Sequence, residues 1–488
     1  MKRIFTYILL SGMVFSITSC EKSLEVSPNS EFSPDNVLTS DAGIKSLLFS
    51  AYAQAQTQTN SRWVINGAEM STDVGYDTGG AENGGLLTLI NYTWDPTTGT
   101  FFDDLWAPNY RAIRDANNVI QNIAAVNTTD ANKKLYTAEA RVLRGQAYAI
   151  LYNNFGTVPL RTPETQTGAL AKATNQQLLD FIEADITASI PDLPNPGAEV
   201  AFGRYNKGVA YAILAKFYLN TKQWQKAADA AKAVIDYNYY ALFPSFEGLF
   251  RVENERNKEI ILALQCRPED PFGNWYQAGA LPAAYKSSPQ FPNYVYTASM
   301  SNFATMYRLR TAFTSTFAPT DKRLSLICTS YVNTSNATVD LSTGDNARSF
   351  KYWDNATVGN NSGTDVPVLR YADILLTRAE ALNELTGPTL ESLGLLNQVR
   401  TRAGIVSLTL TDLASKDLFR DAILRERGWE FVSEGKRRED LVRQGKLISN
   451  AVARGITNAK DHRVLFPIPQ SELDANKLCT QNPGIKTF

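Results

Sequence analysis

The sequence predicts a mainly α protein in which helix pairs form a scaffold for long irregular loops, and three observations predict it. Apolar residues recur at helical spacing in segments spread along the chain. These segments come in twos, joined by short turns. The stretches between them are long, rich in aromatic residues, proline and glycine, and show neither helical nor alternating periodicity over most of their length.

Folding is expected to begin near Asp41, where Ile44, Leu47, Leu48 and Ala51 share one helix face. Between Trp106 and Asn154 two longer patterns follow, through Ile113, Ala116, Val119, Ile120 and Ile123 and then Ala138, Val142, Ala147, Ile150 and Leu151, the second stopped by Asn154-Phe155-Gly156. Tyr205 to Asn220 and Trp224 to Asp236 make the clearest pair. Small alanines stand where two helices must approach, and a large aromatic opens the second helix, features of a tetratricopeptide repeat. Tyr371 to Leu385 and Leu390 to Arg402 form another pair, with Gly404 as a C-terminal cap. Lys416 to Gln444 extends the helix, with a bend expected at Gly428. The predicted layout is a helical region over 41–240 and a C-terminal region over 260–488 with a loop insert at 266–307.

Lys2 and Arg3 precede an almost uncharged run from Ile4 to Ile17, which reads as an export signal too short to stay as a membrane anchor. Ile17-Thr18-Ser19-Cys20 resembles a lipobox, implying a signal over residues 1–19, lipidation of Cys20 and a polar tether over 20–40. An ordinary secretory signal with an incidental Cys20 gives the same export. Cys266, Cys328 and Cys479 are an odd set at wide spacing, so neither a disulfide framework nor a zinc site is indicated. With 48 Lys+Arg against 49 Asp+Glu, nothing steers the chain to nucleic acid. One histidine, His462, excludes multi-histidine metal sites and disfavours a Ser-His-Asp triad. No cofactor and no metal are expected; the Asp354 to Asp365 stretch is rich in side-chain oxygen but lacks calcium-loop spacing, and Gly79-Gly80 and Gly84-Gly85 read as flexible loop.

Several segments in order resemble the SusD/RagB family of Bacteroidetes outer-membrane lipoproteins. They are Arg370-Tyr371-Ala372-Asp373-Ile374-Leu375-Leu376, Arg378-Ala379-Glu380-Ala381, Leu396-Asn397-Gln398-Val399-Arg400-Thr401-Arg402-Ala403-Gly404, Arg425-Glu426-Arg427, Glu434-Gly435, Asp440-Leu441-Val442-Arg443, Leu465-Phe466-Pro467-Ile468-Pro469 and Gln481-Asn482-Pro483-Gly484. Ala138-Glu139-Ala140-Arg141 and Phe155-Gly156-Thr157-Val158-Pro159-Leu160 extend the resemblance to the first half. It implies about four tetratricopeptide-like pairs and a lipid anchor in the outer membrane, facing the exterior. It also implies a SusC-like TonB-dependent transporter as partner, with oligosaccharide, or peptide in the RagB branch, as cargo.

A sugar offers an apolar ring face and a hydroxyl rim, so its site calls for exposed flat aromatics beside amides or carboxylates. Two inserts have that composition. The candidate platforms are Trp63, Tyr76 and Trp94 in the first and Trp275, Tyr276 and Tyr296 in the proline-rich second; Asn66, Asp73 and Asn274 are the candidate hydrogen-bond partners. The alternative for each aromatic is to pin its loop to the body. The motif charges, including Glu426 and Glu430 four apart on one helix face, read as an ion network joining repeats and not as a catalytic pair. The sequence thus reads as a binding protein and not an enzyme. A surface glycosidase using Glu69 with Asp73 or Asp77, and a pure protein scaffold, stand as alternatives.

Overall fold

The computed structural model describes residues 38–55, 65, 67–78, 83–303 and 306–486, the side chains of 99–101 excepted. The export signal, Cys20, Trp63, Asn66 and Gly79-Gly80 lie outside the described residues.

The first helical group contains α1 (Asp41–Ala55), α2 (Asn83–Asn91), α3 (Gly99–Asn122), α4 (Asp130–Phe155) and α5 (Asn175–Ser189). Helix α1 packs on α3, α3 on α4 and α4 on α5. Local chemistry sets the ends. Thr129 caps α4 by accepting from the Asn132 N–H at 3.2 Å, and Gly156 ends it at φ +73°, a conformation that favours glycine. Thr174 and Gln177 close a capping box at the start of α5. Gly145 lets α4 and α5 approach, since a Cβ there would stand 2.6 Å from Ile186 Cγ1. Gly84 and Gly85, expected in loop, lie in the short helix α2, whose Leu86, Leu89 and Ile90 are buried.

The second group contains α6 (Lys207–Asn220), α7 (Trp224–Asp236), α8 (Tyr371–Thr386), α9 (Leu390–Arg402) and α10 (Lys416–Glu430), followed by α11 (Arg437–Arg443) and α12 (Leu447–Ala453). Helix α7 lies between α6 and α8, and α9 packs on α8. The buried alanines Ala227, Ala228, Ala230 and Ala231 make α7 thin enough for two neighbours. The bend expected at Gly428 falls elsewhere. Gly428 is inside α10, and the chain breaks at Ser433 and Gly435, with φ +60° and +72°. The break turns Glu434 inward, where it meets Arg370 and Lys351, each at 2.8 Å.

Nine short strands are described: β1 (Gly75–Tyr76), β2 (Ile260–Leu264), β3 (Tyr285–Ser287), β4 (Arg308–Leu309), β5 (Ile327–Cys328), β6 (Ser330–Asn333), β7 (Thr338–Asp340), β8 (Arg348–Ser349) and β9 (Val366–Arg370). Strands β2 and β9 pair antiparallel beneath the helices, and β9 runs directly into α8. The others pair as β1 with β4, β5 with β8, and β3–β6–β7, all antiparallel, and build the insert region.

One large apolar cluster runs through both helical groups and the inserts; smaller ones lie between α8 and α10 and around β4 and β5. The tail stitches the halves together. Asn482 Nδ2 donates to the Phe155 and Phe466 carbonyls at 2.8 and 2.9 Å, and its Oδ1 accepts from Lys172 Nζ at 2.9 Å. Phe466 stands edge-on to Trp94, with ring centroids 5.3 Å apart.

Candidate functional site

The motif charges form a buried ion network. Arg370, 1% exposed, donates to Glu259 Oε1 at 2.7 Å, to Glu430 and to Glu434 Oε2 at 2.8 Å. Arg402 reaches Glu259 at 3.0 Å and Glu430. Arg323 bonds Asp321, Glu426 and Glu430. Arg427 joins Asp373 to Asp440, each at 2.8 Å, and Arg443 chelates Glu380 at 2.7 and 2.8 Å. Burial works against the charge of Glu430, yet Arg402, Arg370 and Arg323 hold its carboxyl well below the ordinary range. These groups join β9, α8, α9, α10 and α11.

The carboxylates weighed for hydrolysis are likewise tied to the body. Asp73 accepts two bonds from Arg437, both at 2.7 Å, and one from Asn450 at 3.2 Å. Burial raises its carboxyl, but the Arg437 bonds prevail and hold it low. Glu69, 3% exposed, accepts from the Gly435 N–H at 3.1 Å, and burial pushes it up to about 8. Asp77 is fully buried.

Three sequence candidates have core positions. Trp94, 1% exposed, packs among Tyr92, Phe102 and Phe466, which removes its ring from any ligand. Asn274 and Tyr276 pin the proline-rich insert. The Asn274 N–H donates to the Ser362 carbonyl at 2.8 Å, and its Nδ2 donates to the Thr364 carbonyl at 3.2 Å. Tyr276 stacks on Tyr307 at 5.3 Å, with its hydroxyl 2.9 Å from Ser433 Oγ.

Between these two anchors Trp275 is only half-buried, and its Nε1 donates to Asn361 Oδ1 at 2.9 Å. Gly273 makes this junction fit, because a Cβ there would stand 2.3 Å from Asn361 Cβ. Tyr296, also half-buried, stands edge-on to Tyr285 at 5.9 Å. The loop carrying Asn361 is tied to the insert by Ser301 N–H to the Gly359 carbonyl and Gly359 N–H to the Ser299 carbonyl, both 2.8 Å. Within that loop the Asp354 carboxylate accepts from the Ala356 and Gly363 N–H groups at 2.8 Å, so it serves loop closure. Among the described residues no cluster of three or more His, Cys, Asp or Glu is arranged to hold a metal ion. Exposed Phe272 lies beside these residues in sequence, with the Arg267 guanidinium 4.5 Å above its ring.

Tyr76 occupies a different edge. It lies half-buried on β1, opposite Arg308 on β4, with the Arg310 guanidinium 4.9 Å above its ring. Sequence reading passed over both arginines. Their signal was the alternation Tyr307-Arg308-Leu309-Arg310, a short strand with one apolar face.

The second half of the chain, residues 249–484, matches the sequence model of the SusD family, and residues 22–219 match a related model described as "Starch-binding associating with outer membrane". The chain belongs to the SusD family. Relatives of this family align from end to end. SusD-like protein P25 of Formosa agariphila is 26% identical over 99% of this chain and 98% of its own. The starch-binding protein SusD of Bacteroides thetaiotaomicron is 23% identical over 99% of both. The fold is shared with a laminarin-binding SusD-like protein (TM-score 0.75, 23% identity, 91% of this chain and 100% of that one). It is shared equally with surface glycan-binding protein A from B. thetaiotaomicron in complex with laminarihexaose (TM-score 0.75, 22% identity, with the same coverage).

Proposed function

We propose that this SusD-family protein is a surface lipoprotein, anchored through Cys20 to the outer membrane. In this reading it captures an oligosaccharide without cleaving it and passes it to a SusC-like TonB-dependent transporter. The observation that carries the reading is the half-buried Trp275, held between the buried anchors Asn274 and Tyr276 and oriented by Asn361. A ring fixed before binding loses little freedom when a sugar stacks on it. Tyr296 and the amide-rich 354–365 loop supply a second platform and rim donors, and Tyr76 a further platform. Family membership and the names of its relatives support glycan over peptide cargo. The ion-paired states of Asp73 and the motif glutamates support binding over hydrolysis.

Calorimetric titration against plant, host and microbial oligosaccharides and mixed peptides, with chromatography of each ligand afterwards, tests this. An intact glycan is expected to bind, and Trp275→Ala with Tyr296→Ala to weaken it by about ten-fold or more. Binding of peptides alone overturns the cargo, and shortened oligosaccharides overturn the non-catalytic reading.

A further inference from the structure

Strands β1, β4, β8 and β5 form one continuous row. Tyr76 is opposite Arg308, and Cys328 is opposite Arg348. Leu309 bridges Ala347, its N–H donating to the Ala347 carbonyl at 2.9 Å, and this register sets Arg308 opposite Arg348. Because strand side chains alternate, Leu309, Ala347 and Ile327 face one way, into an apolar cluster with Val74, Phe313 and Phe317. Tyr76, Arg308, Arg348 and Cys328 therefore share the other face.

Two like charges directly opposite on one sheet face repel, and this pair is partly desolvated. Arg348 is 1% exposed; among the described residues it bonds only the backbone carbonyls of Asn346 and Ala347, and its Nε has no partner. Burial and the charge of Arg308 both disfavour its cationic form. Arg310, above Tyr76, has a buried Nη2 without a partner and its nearest carboxylate, Asp345, at 3.8 Å. Arg454, which repels Arg310, donates to Asn450 and to the Ser71 carbonyl. Of the acids here, Asp73 is taken by Arg437, leaving Asp77 beside Arg308 and Asp345 beside Arg310. Among the described residues the region holds more guanidinium than carboxylate, and its half-buried end is Tyr76 with Arg308.

We infer that this end of the row is a subsite for an anionic substituent on the bound sugar, a uronate carboxylate or a sulfate ester. The aromatic ring meets the sugar while Arg308 and Arg310 meet the anion. This rests on the glycan-capture reading above and narrows it to acidic glycans. A carboxylate or sulfate entering here gains charge-assisted bonds in a partly water-excluded setting and relieves the repulsion between Arg308 and Arg348.

The test titrates the full-length protein with oligogalacturonate and with a sulfated galactan oligosaccharide, each beside its carboxyl-reduced or desulfated form. The charged member of one pair is expected to bind about ten-fold tighter than its neutral form, with affinity falling as salt rises. Arg308→Gln is expected to remove that preference and Arg308→Lys to retain most of it, with both variants still folding cooperatively. Which pair responds separates carboxylate from sulfate. Equal binding of charged and neutral members overturns the anion subsite and leaves glycan capture standing; a preference that survives Arg308→Gln overturns its placement; failure of every glycan to bind overturns both.

Discussion

The two arginine-rich regions of this molecule obey opposite rules. Around Arg370 every guanidinium is matched by carboxylates, and Glu259, Glu430 and Glu434 converge on it from two segments of the chain. Around Arg348 a guanidinium of equal burial finds, among the described residues, only backbone carbonyls, with another arginine opposite on the neighbouring strand. Burying a charge costs several kcal/mol unless partners compensate, so the first region has the energetics of a scaffold and the second retains an uncompensated cost. Uncompensated cost concentrates at functional sites, since a ligand can supply what the fold does not.

The contrast can be broken most forcefully at Arg370. Arg370→Ala leaves three buried carboxylates without their shared partner, and a loss of about 3–5 kcal/mol is expected in denaturant unfolding. A loss below about 1 kcal/mol would remove the distinction between the regions.

Glu69 offers a pH-resolved version. Its folded-state pKa of about 8 exceeds the ordinary 4.5, so the folded protein holds this proton more tightly than the unfolded chain. Its contribution is fully present below pH 4.5 and is lost as pH rises through about 8. The melting temperature is therefore expected to fall between pH 6 and pH 9 by an amount corresponding to about 1–3 kcal/mol, and Glu69→Gln to flatten that fall. An equal fall in the variant would place the pH sensitivity elsewhere.

The smallest effect is expected at Arg348 itself. Arg348→Met removes a cation with no carboxylate partner and keeps most of the volume, so stability should change by less than about 1 kcal/mol in either direction. A loss as large as that at Arg370 would show that the pair is structurally satisfied.

Much of the scaffold was legible in the sequence because helix periodicity, caps and paired charges are local or repeated signals. The segments through Ile113, Val142, Ala227 and Leu396 all lie in helices with those residues buried. The break after α10 was misplaced at Gly428 because it depends on where Glu434 must point, a tertiary demand. The site was legible only as a composition. Asn274, Trp275 and Tyr276 are consecutive, yet only Trp275 is not fully buried, and the partners that decide this, Ser362, Ser433 and Asn361, lie far along the chain. Trp94 looked equivalent to Trp275 until Phe466, near the end of the sequence, covered it. Arg308 and Arg348 gain meaning from a register between strands that no single segment reveals.

The stitch made by Asn482 has a bearing on biogenesis. The carbonyls of Phe155 and Phe466 find their partner in a residue 327 positions after Phe155. A chain emerging from its N-terminus has the first helical group complete long before Phe466 and Asn482 arrive to cover Trp94 and close the seam. Until then the two halves lack this clasp, so the seam between them closes late in synthesis.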